Sequence, residues 1–331
     1  MNMPLSRARL VELLDRVQGK RILVVGDAML DVYLSGDVER ISPEAPVPVV
    51  RVRERKYALG GAANVAQNVM AIGATCHLIA AVGNDHAGKT VRAMLTASGV
   101  SESGLVTVDR CTTQKTRILA RAQQLVRVDE EEDADFTPAE IGPLLDRVRS
   151  SVENADAVIL EDYNKGVLVP EVIDEVMRLA RERSLPVVAD PKYRNFFHYR
   201  GATIFKPNVR ELEAALGASF DVEHPETLPD TLHRLGVNYI LLTLGERGMV
   251  LFSHGGEIAR VPTAAREVYD VVGAGDTVTA NLAAVLAVGG TAVEAAVIAN
   301  IAAGIEVGKL GAATVTAAEV LAYADMHGLL A

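Results

Sequence analysis

Short apolar runs alternate with longer stretches whose apolar residues recur at helical spacing. That rhythm predicts parallel strands joined by helices, in a sheet covered on both faces. Arg21-Ile22-Leu23-Val24-Val25-Gly26-Asp27 reads as a buried strand ending in a carboxylate, and Cys76 to Val82 as another strand between helices over Ala62 to Ile72 and Ala87 to Ser98. Later runs end in the same polar manner: Ala157 to Leu160 at Glu161-Asp162, Pro186 to Ala189 at Asp190, Ala202 to Phe205 at Lys206-Pro207-Asn208, and Tyr239 to Leu242 at Thr243. Ligands of open α/β sheets bind beyond the carboxyl ends of the strands, so these endings are expected to gather at one crevice.

Two stretches break the rhythm. Val47 to Arg53 and Thr116 to Asp129 read as β segments without an intervening helix, arginine-bearing and too polar for a central sheet. They predict a small β lid, in segments of about 32–58 and 104–129, inserted in the amino-terminal half of one domain spanning 1–331. Exposed strand edges need a cover or a partner, so such a lid can close over a ligand or join a second copy as a homodimer. A plain surface hairpin is the alternative. The acidic run Asp129 to Asp135 reads as a solvated loop leading to a helix from Pro138.

Composition narrows the partners. A chain of 331 residues, 49% hydrophobic, can bury a large core, while a net charge of −10 argues against nucleic acid. A bound polyphosphate would need local basic groups and metal ions. Cys76 and Cys111 lack zinc-type spacing and are expected as core thiols in a reducing interior, and the seven histidines form no cluster. No run reaches transmembrane length, and Met1 to Arg9 lacks the apolar stretch of a signal peptide, so the expectation is a cytoplasmic protein without a membrane partner.

Gly273-Ala274-Gly275-Asp276, running into the helix-compatible stretch Thr277 to Ala287, carries the most specific chemistry. Two glycines let backbone amides crowd an anion, and a helix start adds unpaired N–H groups and a positive dipole end. That suits phosphoryl transfer to a hydroxyl: the amides stabilise the moving group and the aspartate takes the proton. The helix end is expected to keep Asp276 ionised near neutrality. The plainer reading is a Gly-rich loop with Asp276 as a helix-start residue. Gly60-Gly61-Ala62-Ala63-Asn64 is a second turn at a helix start, and with Asp27 and Asp31 it offers the hydrogen-bonding groups a polyhydroxylated ligand needs.

These two signatures, in their order and separation, resemble those of the ribokinase or PfkB carbohydrate-kinase family, over nearly the whole chain. The resemblance implies a ribokinase-like α/β fold, a doubly wound and mostly parallel sheet flanked by helices with a small β lid. It also implies ATP as donor, Mg²⁺ as metal, and Asp276 as catalytic base above the Gly273, Ala274 and Gly275 amides. Lys206, Asn208 and Glu211 resemble the segment near the nucleotide phosphates and magnesium, with Asn208 and Glu211 the metal side. Thr243, Gly245 and Gly248 resemble the nucleotide loop, and Asn300 the position near adenine. Asn208 and Glu211 also have capping-box spacing, and both roles can coexist. A monovalent cation near Asp270 and Gly311 is a further expectation. The family often has threonine after the first aspartate of the second signature, where Val271 stands here.

Within the family, Ile22 to Asp31, Ile41 to Val49, Thr116 to Arg127 and Glu161 to Leu168 are similar to the kinases that phosphorylate the anomeric hydroxyl of D-glycero-D-manno-heptose 7-phosphate. A sugar phosphate needs a cationic pocket. Arg117 and Arg121, on one face of a strand, are candidates, with Lys165 and Lys192 completing it and Asp27, Asp31, Gly60, Gly61 and Asn64 meeting the sugar. Kinases of this kind also occur fused to a nucleotidyltransferase; without a His-x-Gly-His motif, only the kinase half is expected. The alternatives are a kinase of another sugar or sugar phosphate and a non-catalytic sensor. A dinucleotide oxidoreductase is disfavoured, since Gly26 stands alone after the first strand.

Overall fold

The structure is a computed structural model that describes residues 5–120, 123–221 and 228–330. Thirteen strands and ten α-helices are named: β1 Arg21–Gly26, β2 Ala28–Ile41, β3 Pro48–Gly61, β4 Thr75–Gly83, β5 Leu105–Val108, β6 Gln114–Ala120, β7 Gln123–Glu130, β8 Ala157–Glu161, β9 Val187–Asp190, β10 Ile204–Phe205, β11 Tyr239–Thr243, β12 Met249–Ser253 and β13 Ile258–Val261. The helices are α1 Arg7–Val17, α2 Ala62–Ala71, α3 His86–Ala97, α4 Pro138–Val152, α5 Pro170–Glu182, α6 Val209–Leu216, α7 Leu228–Leu235, α8 Ala274–Ala287, α9 Ala292–Glu306 and α10 Ala317–Met326.

Nine strands form the central sheet in the order β13-β12-β11-β10-β9-β8-β1-β4-β5, parallel from β5 to β11. Its central strands are apolar on both faces because both faces are covered. In β1, Ile22 and Val24 join the core beneath α1, α2, α3, α8, α9 and α10, while Leu23 and Val25 join the core beneath α4, α5, α6 and α7. Register then aligns the strand ends. Gly26 of β1 stands opposite Glu161 of β8, and Glu161 opposite Asp190 of β9. Ala189 stands opposite Phe205 of β10, so Lys206 follows one step beyond, beside Asp190.

Four strands, ordered β3-β2-β6-β7, make the lid, antiparallel except for the β2·β6 pair. The residues of segment 104–129 divide between two sheets. Leu105–Val108 pairs with β4 at the edge of the central sheet, because its apolar residues are buried there; only the part from Gln114 belongs to the lid. β2 likewise enters the lid directly from Ala28. The hairpin β12–β13, which adds an antiparallel edge, is absent from the sequence reading. Cys76 is half-buried, but Cys111 is exposed, contrary to the expected core thiol, since it lies in the loop between the two sheets, its amide held by Glu132.

Helix starts follow from local chemistry. Thr137 with Glu140, Thr291 with Glu294 and Thr316 with Glu319 form capping boxes that satisfy otherwise orphaned amides of α4, α9 and α10.

Gly248, expected in a nucleotide loop, is required by the sheet itself. Its φ of 85° is one that only glycine adopts freely, and a Cβ there would lie 2.2 Å from the Val261 carbonyl oxygen. Gly248→Ala is therefore expected to destabilise the protein by about 3 kcal/mol. Urea unfolding measures this, and an unchanged midpoint would show that the turn relaxes.

Candidate active site

Asp276 occupies the third position of α8, after Gly273 as N-cap, Ala274 and Gly275. Its carboxylate is buried and held on both oxygens: Asn64 Nδ2 donates to Oδ2 at 2.7 Å, and the Tyr163 hydroxyl donates to Oδ1 at 2.9 Å. Asn64 is placed by the Gly60-Gly61 turn. Gly61, with φ of 56°, ends β3 and caps α2, where a Cβ would strike the Asp27 carbonyl oxygen at 2.4 Å. Asn68, one helical turn on, donates to the Asn64 side chain at 3.3 Å and accepts from Thr277 Oγ1 at 3.2 Å, which locks α2 to α8.

Asp27 positions the other holder. Its buried carboxylate accepts the backbone N–H groups of Tyr163 at 2.8 Å, Lys165 at 3.0 Å and Val167 at 3.1 Å. Both oxygens are thereby committed to shaping the loop after β8, so Asp27 supports the site from beneath rather than offering a hydroxyl-binding group. Burial raises its pKa above the ordinary carboxyl value, and the three donors oppose that rise.

Beside Asp276 lies the row of strand ends. Lys206 Nζ meets Asp190 Oδ2 at 2.7 Å, both side chains buried, and a Cβ on Gly275 would stand 3.6 Å from that ammonium. The lysine therefore faces the amides of the α8 turn, where an anion would sit. Burial alone would lower Lys206, but the charge and hydrogen bond of Asp190 overcome it and the net shift is upward. Carboxylate oxygens of Glu161, Asp190 and Asp276 lie within 4.8 Å of one another. At that range, an effective dielectric of about 20 makes each like-charge pair cost about 3 kcal/mol, so ionising all three together is disfavoured near neutral pH. Burial pushes Asp276 up to about 6, with the Asn64 and Tyr163 hydrogen bonds opposing and Asp190 adding to the rise. The carboxylate is thus charged above that value, and its site is shaped by burial more than by the helix end.

The expected cationic pocket is not assembled from the residues proposed for it. Arg117 pairs with Asp31 at 2.5 Å on the inner face of the lid, Lys165 with Glu131 at 2.8 Å, and Lys192 with Glu211 while lying over the Tyr163 ring. Each is thus already paired with a carboxylate, and Glu131 also meets Lys115 at 3.0 Å. Arg121 lies outside the described residues. Gly60 packs against Met29 and Asp31. A cavity of about 630 Å³, whose lining includes Tyr33, Lys56, Ala58, Leu119, Asp270 and Gly311, separates the lid's inner face from the 310–312 loop.

On the far side, Asn208 and Glu211 form a capping box on α6, Asn208 N donating to Glu211 at 2.9 Å and Glu211 N to Asn208 at 2.9 Å. A β-bridge joins Asn208 to Thr243, bringing those two loops together, and Gly245 opens to free space. Asn300 is buried in α9 and donates to the Pro262 carbonyl at 2.8 Å. Sequence reasoning assigned no role to Tyr163, Asp190 or Glu161; the polar strand ends were the available signal for the two acids, and none existed for the phenol. Asn64→Ala or Tyr163→Phe removes a donor to the charged form and is expected to weaken Asp276 as an acid about tenfold. A carboxyl NMR titration checks this, and an unmoved titration would show that neither donor acts.

Comparison with known proteins agrees with this geometry. A model described as pfkB family carbohydrate kinase matches residues 20–318. A bifunctional protein HldE of Rhodospirillum rubrum is 44% identical over 316 residues, covering 95% of this chain and 64% of that protein. The Geobacter sulfurreducens protein of the same name is 42% identical over 304 residues, covering 90% and 62%. The chain thus spans less than two thirds of the length of these relatives. Among solved structures, Arabidopsis thaliana ribokinase complexed with ribose and ATP superposes with a TM-score of 0.72 at 21% identity, covering 92% of this chain and 98% of that one. Escherichia coli phosphofructokinase-2 in complex with potassium gives 0.76 at 17% identity, covering 94% and 100%.

Proposed function

The chain belongs to the pfkB family of carbohydrate kinases, and from that premise we propose that it transfers the γ-phosphoryl group of ATP to the anomeric hydroxyl of D-glycero-D-manno-heptose 7-phosphate. The product is the 1,7-bisphosphate, an intermediate toward ADP-heptose and lipopolysaccharide core. The similarity to HldE proteins supports the substrate class. The observation that carries the chemistry is Asp276, charged above about 6 and fixed by Asn64 and Tyr163 at the mouth of the Gly273 to Gly275 turn.

In this reading the acceptor hydroxyl lies against Asp276, which takes its proton late, once phosphoryl transfer has made the hydroxyl acidic. The α8 amides and Lys206 stabilise charge on the transferring group. Glu211, whose oxygens keep lone pairs beyond the Asn208 and Lys192 contacts, suits a hydrated Mg²⁺ held through water on the Asn208 side; when bound, that ion neutralises phosphate charge. Thr243 and Gly245 border the nucleotide side, and a monovalent cation would sit near Asp270 and Gly311. Among the described residues no helix is long and apolar enough to cross a membrane.

One observation favours a second reading, a kinase for an unphosphorylated sugar. Arg117, Lys165 and Lys192 each already carry a carboxylate partner. ADP release measured with MgATP across heptose 7-phosphate, other sugar phosphates and neutral sugars decides between them. Release with neutral sugars alone would set aside the phosphate substrate, and binding without release anywhere would leave a sensor.

Asp276→Asn is expected to lower kcat by about two to four orders of magnitude while ATP affinity stays near that of the parent. Equal losses in both would remove the base role. The parent's rate should fall as pH drops through about 6, where Asp276 gains its proton.

The lid's outer face is read as the surface of a second subunit. Val126 and Val128 stand in register with Ile118 and Thr116, and these with Leu34 and Val32, so one face carries Val126, Val128 and Val52 exposed to solvent. Val126→Asp with Val128→Asp is expected to give a monomer in sedimentation equilibrium, and an unchanged dimer would place the interface elsewhere.

A further inference from the structure

Glu161 has no part in the reaction as described, yet it is fully buried beside Asp190 and Asp276. It ends β8 with no exposure to solvent, and neither carboxylate oxygen has a hydrogen-bond partner. The groups facing it can be named element by element. From β1 comes Gly26, which adds no polar atom; from β9 comes Asp190, opposite in register; from α8 comes Asp276. Lys206 follows β10 and Lys192 follows β9. Tyr163, two residues on, has its hydroxyl committed to Asp276.

The two lysines are occupied elsewhere. Lys206 bonds Asp190 and Lys192 bonds Glu211, so the three clustered carboxylates have one ammonium in contact, with Lys192 acting on Asp190 and Glu161 only at longer range. That balance favours one uncharged carboxyl near neutral pH. Asp276 has two donors to its charged form, and Asp190 has the Lys206 ammonium with the Thr279 hydroxyl at 3.5 Å. Only Glu161 among the three has no hydrogen-bond donor to a charged form, the Lys206 and Lys192 ammoniums acting on it from a distance, and a buried polar group without a bonded partner favours its uncharged form.

We propose that Glu161 is a positioning residue carried as a neutral carboxylic acid, and that its ionisation turns the site off at alkaline pH by setting a third negative charge against Asp276 and the transferring phosphoryl group. This rests on the reading of Asp276 as the proton acceptor of a sugar kinase. Burial raises the Glu161 acid well above the ordinary carboxyl range, and the charges of Asp190 and Asp276 add to that rise. A metal ion on the three carboxylates is the competing occupant. Lys206 already supplies the cation on the Asp190 side, which favours the proton.

The test is the pH dependence of MgATP-dependent phosphorylation in the parent, Glu161→Gln and Glu161→Met, with Glu306→Gln as comparison. Glu306 is another buried acid beside the α8 turn, near the Ala313 amide, and its Oε1 lies 3.2 Å from where a Gly273 Cβ would stand. The parent should show two limbs. In both neutral variants at Glu161 the alkaline limb should move by at least tenfold in hydroxide concentration or vanish, with the acid limb in place, and Glu306→Gln should keep the alkaline limb. An alkaline limb unmoved at Glu161, or moved by Glu306→Gln, overturns the proposal. So does a rise in the Mg²⁺ concentration needed by Glu161→Gln, which would mark a metal ligand.

A second readout does not depend on activity. A carboxyl whose folded-state pKa is raised binds more protons folded than unfolded, so its contribution to stability falls as pH rises above the ordinary carboxyl value. Parent thermal stability should therefore decline relative to Glu161→Gln with rising pH, and parallel curves overturn the proposal. If no protein turns over any sugar, the kinase reading fails while this comparison still reports on Glu161.

Discussion

The buried ion pair between Lys206 and Asp190 is the interaction on which the rest of the site depends. It fixes a positive charge at the carboxyl ends of adjacent strands, next to the turn where an anion would be held. Removing one partner of such a pair typically costs about 3–5 kcal/mol, because the other is left charged in a dry place. Without Lys206, Asp190 and Asp276 would confront one another with no cation bonded to either. Strand register makes the pairing unavoidable: neighbouring parallel strands ending on the same rung bring their next residues side by side.

Around that pair the molecule separates two tasks. Orientation is the work of neutral donors, with Asn64 from α2 and Tyr163 from the loop after β8 converging on Asp276. Support is the work of acids that point into backbone. Asp27 organises the 163–167 loop by accepting its amides, and thereby determines where the Tyr163 ring can lie. Charged side chains around the site are matched locally, as Asp190 is by Lys206 and Asp31 by Arg117.

Much of this was legible in the sequence because the fold writes its active crevice as strand endings. Glu161, Asp190 and Lys206 each follow an apolar run, and the Gly273 to Asp276 turn precedes a small-residue helix. Asn64 was legible from the glycine pair before it. What could not be read is what depends on distance across the fold. The Tyr163 hydroxyl finds Asp276 only because Asp27, far away in the chain, bends the intervening loop. Lys165 and Lys192 looked like ligands for a phosphate, yet neighbours brought in by β7 and α6 claim them. At Gly248, which resembles a nucleotide-loop residue, the backbone of β13 adds a separate demand for glycine that the sequence does not show. Leu105–Val108 is too short for periodicity to distinguish a lid strand from a sheet edge.

The junction at Gly61 has a mechanical meaning. β3, a strand of the cover, passes into α2 with no loop between them, and Asn64 stands in the first turn beyond. The cover is consequently a lever whose short arm bears the amide that grips Asp276. In the proposed reading, an acceptor seated beneath the cover would therefore bear on the holder of Asp276 through covalent bonds alone, with no loop between to absorb the push.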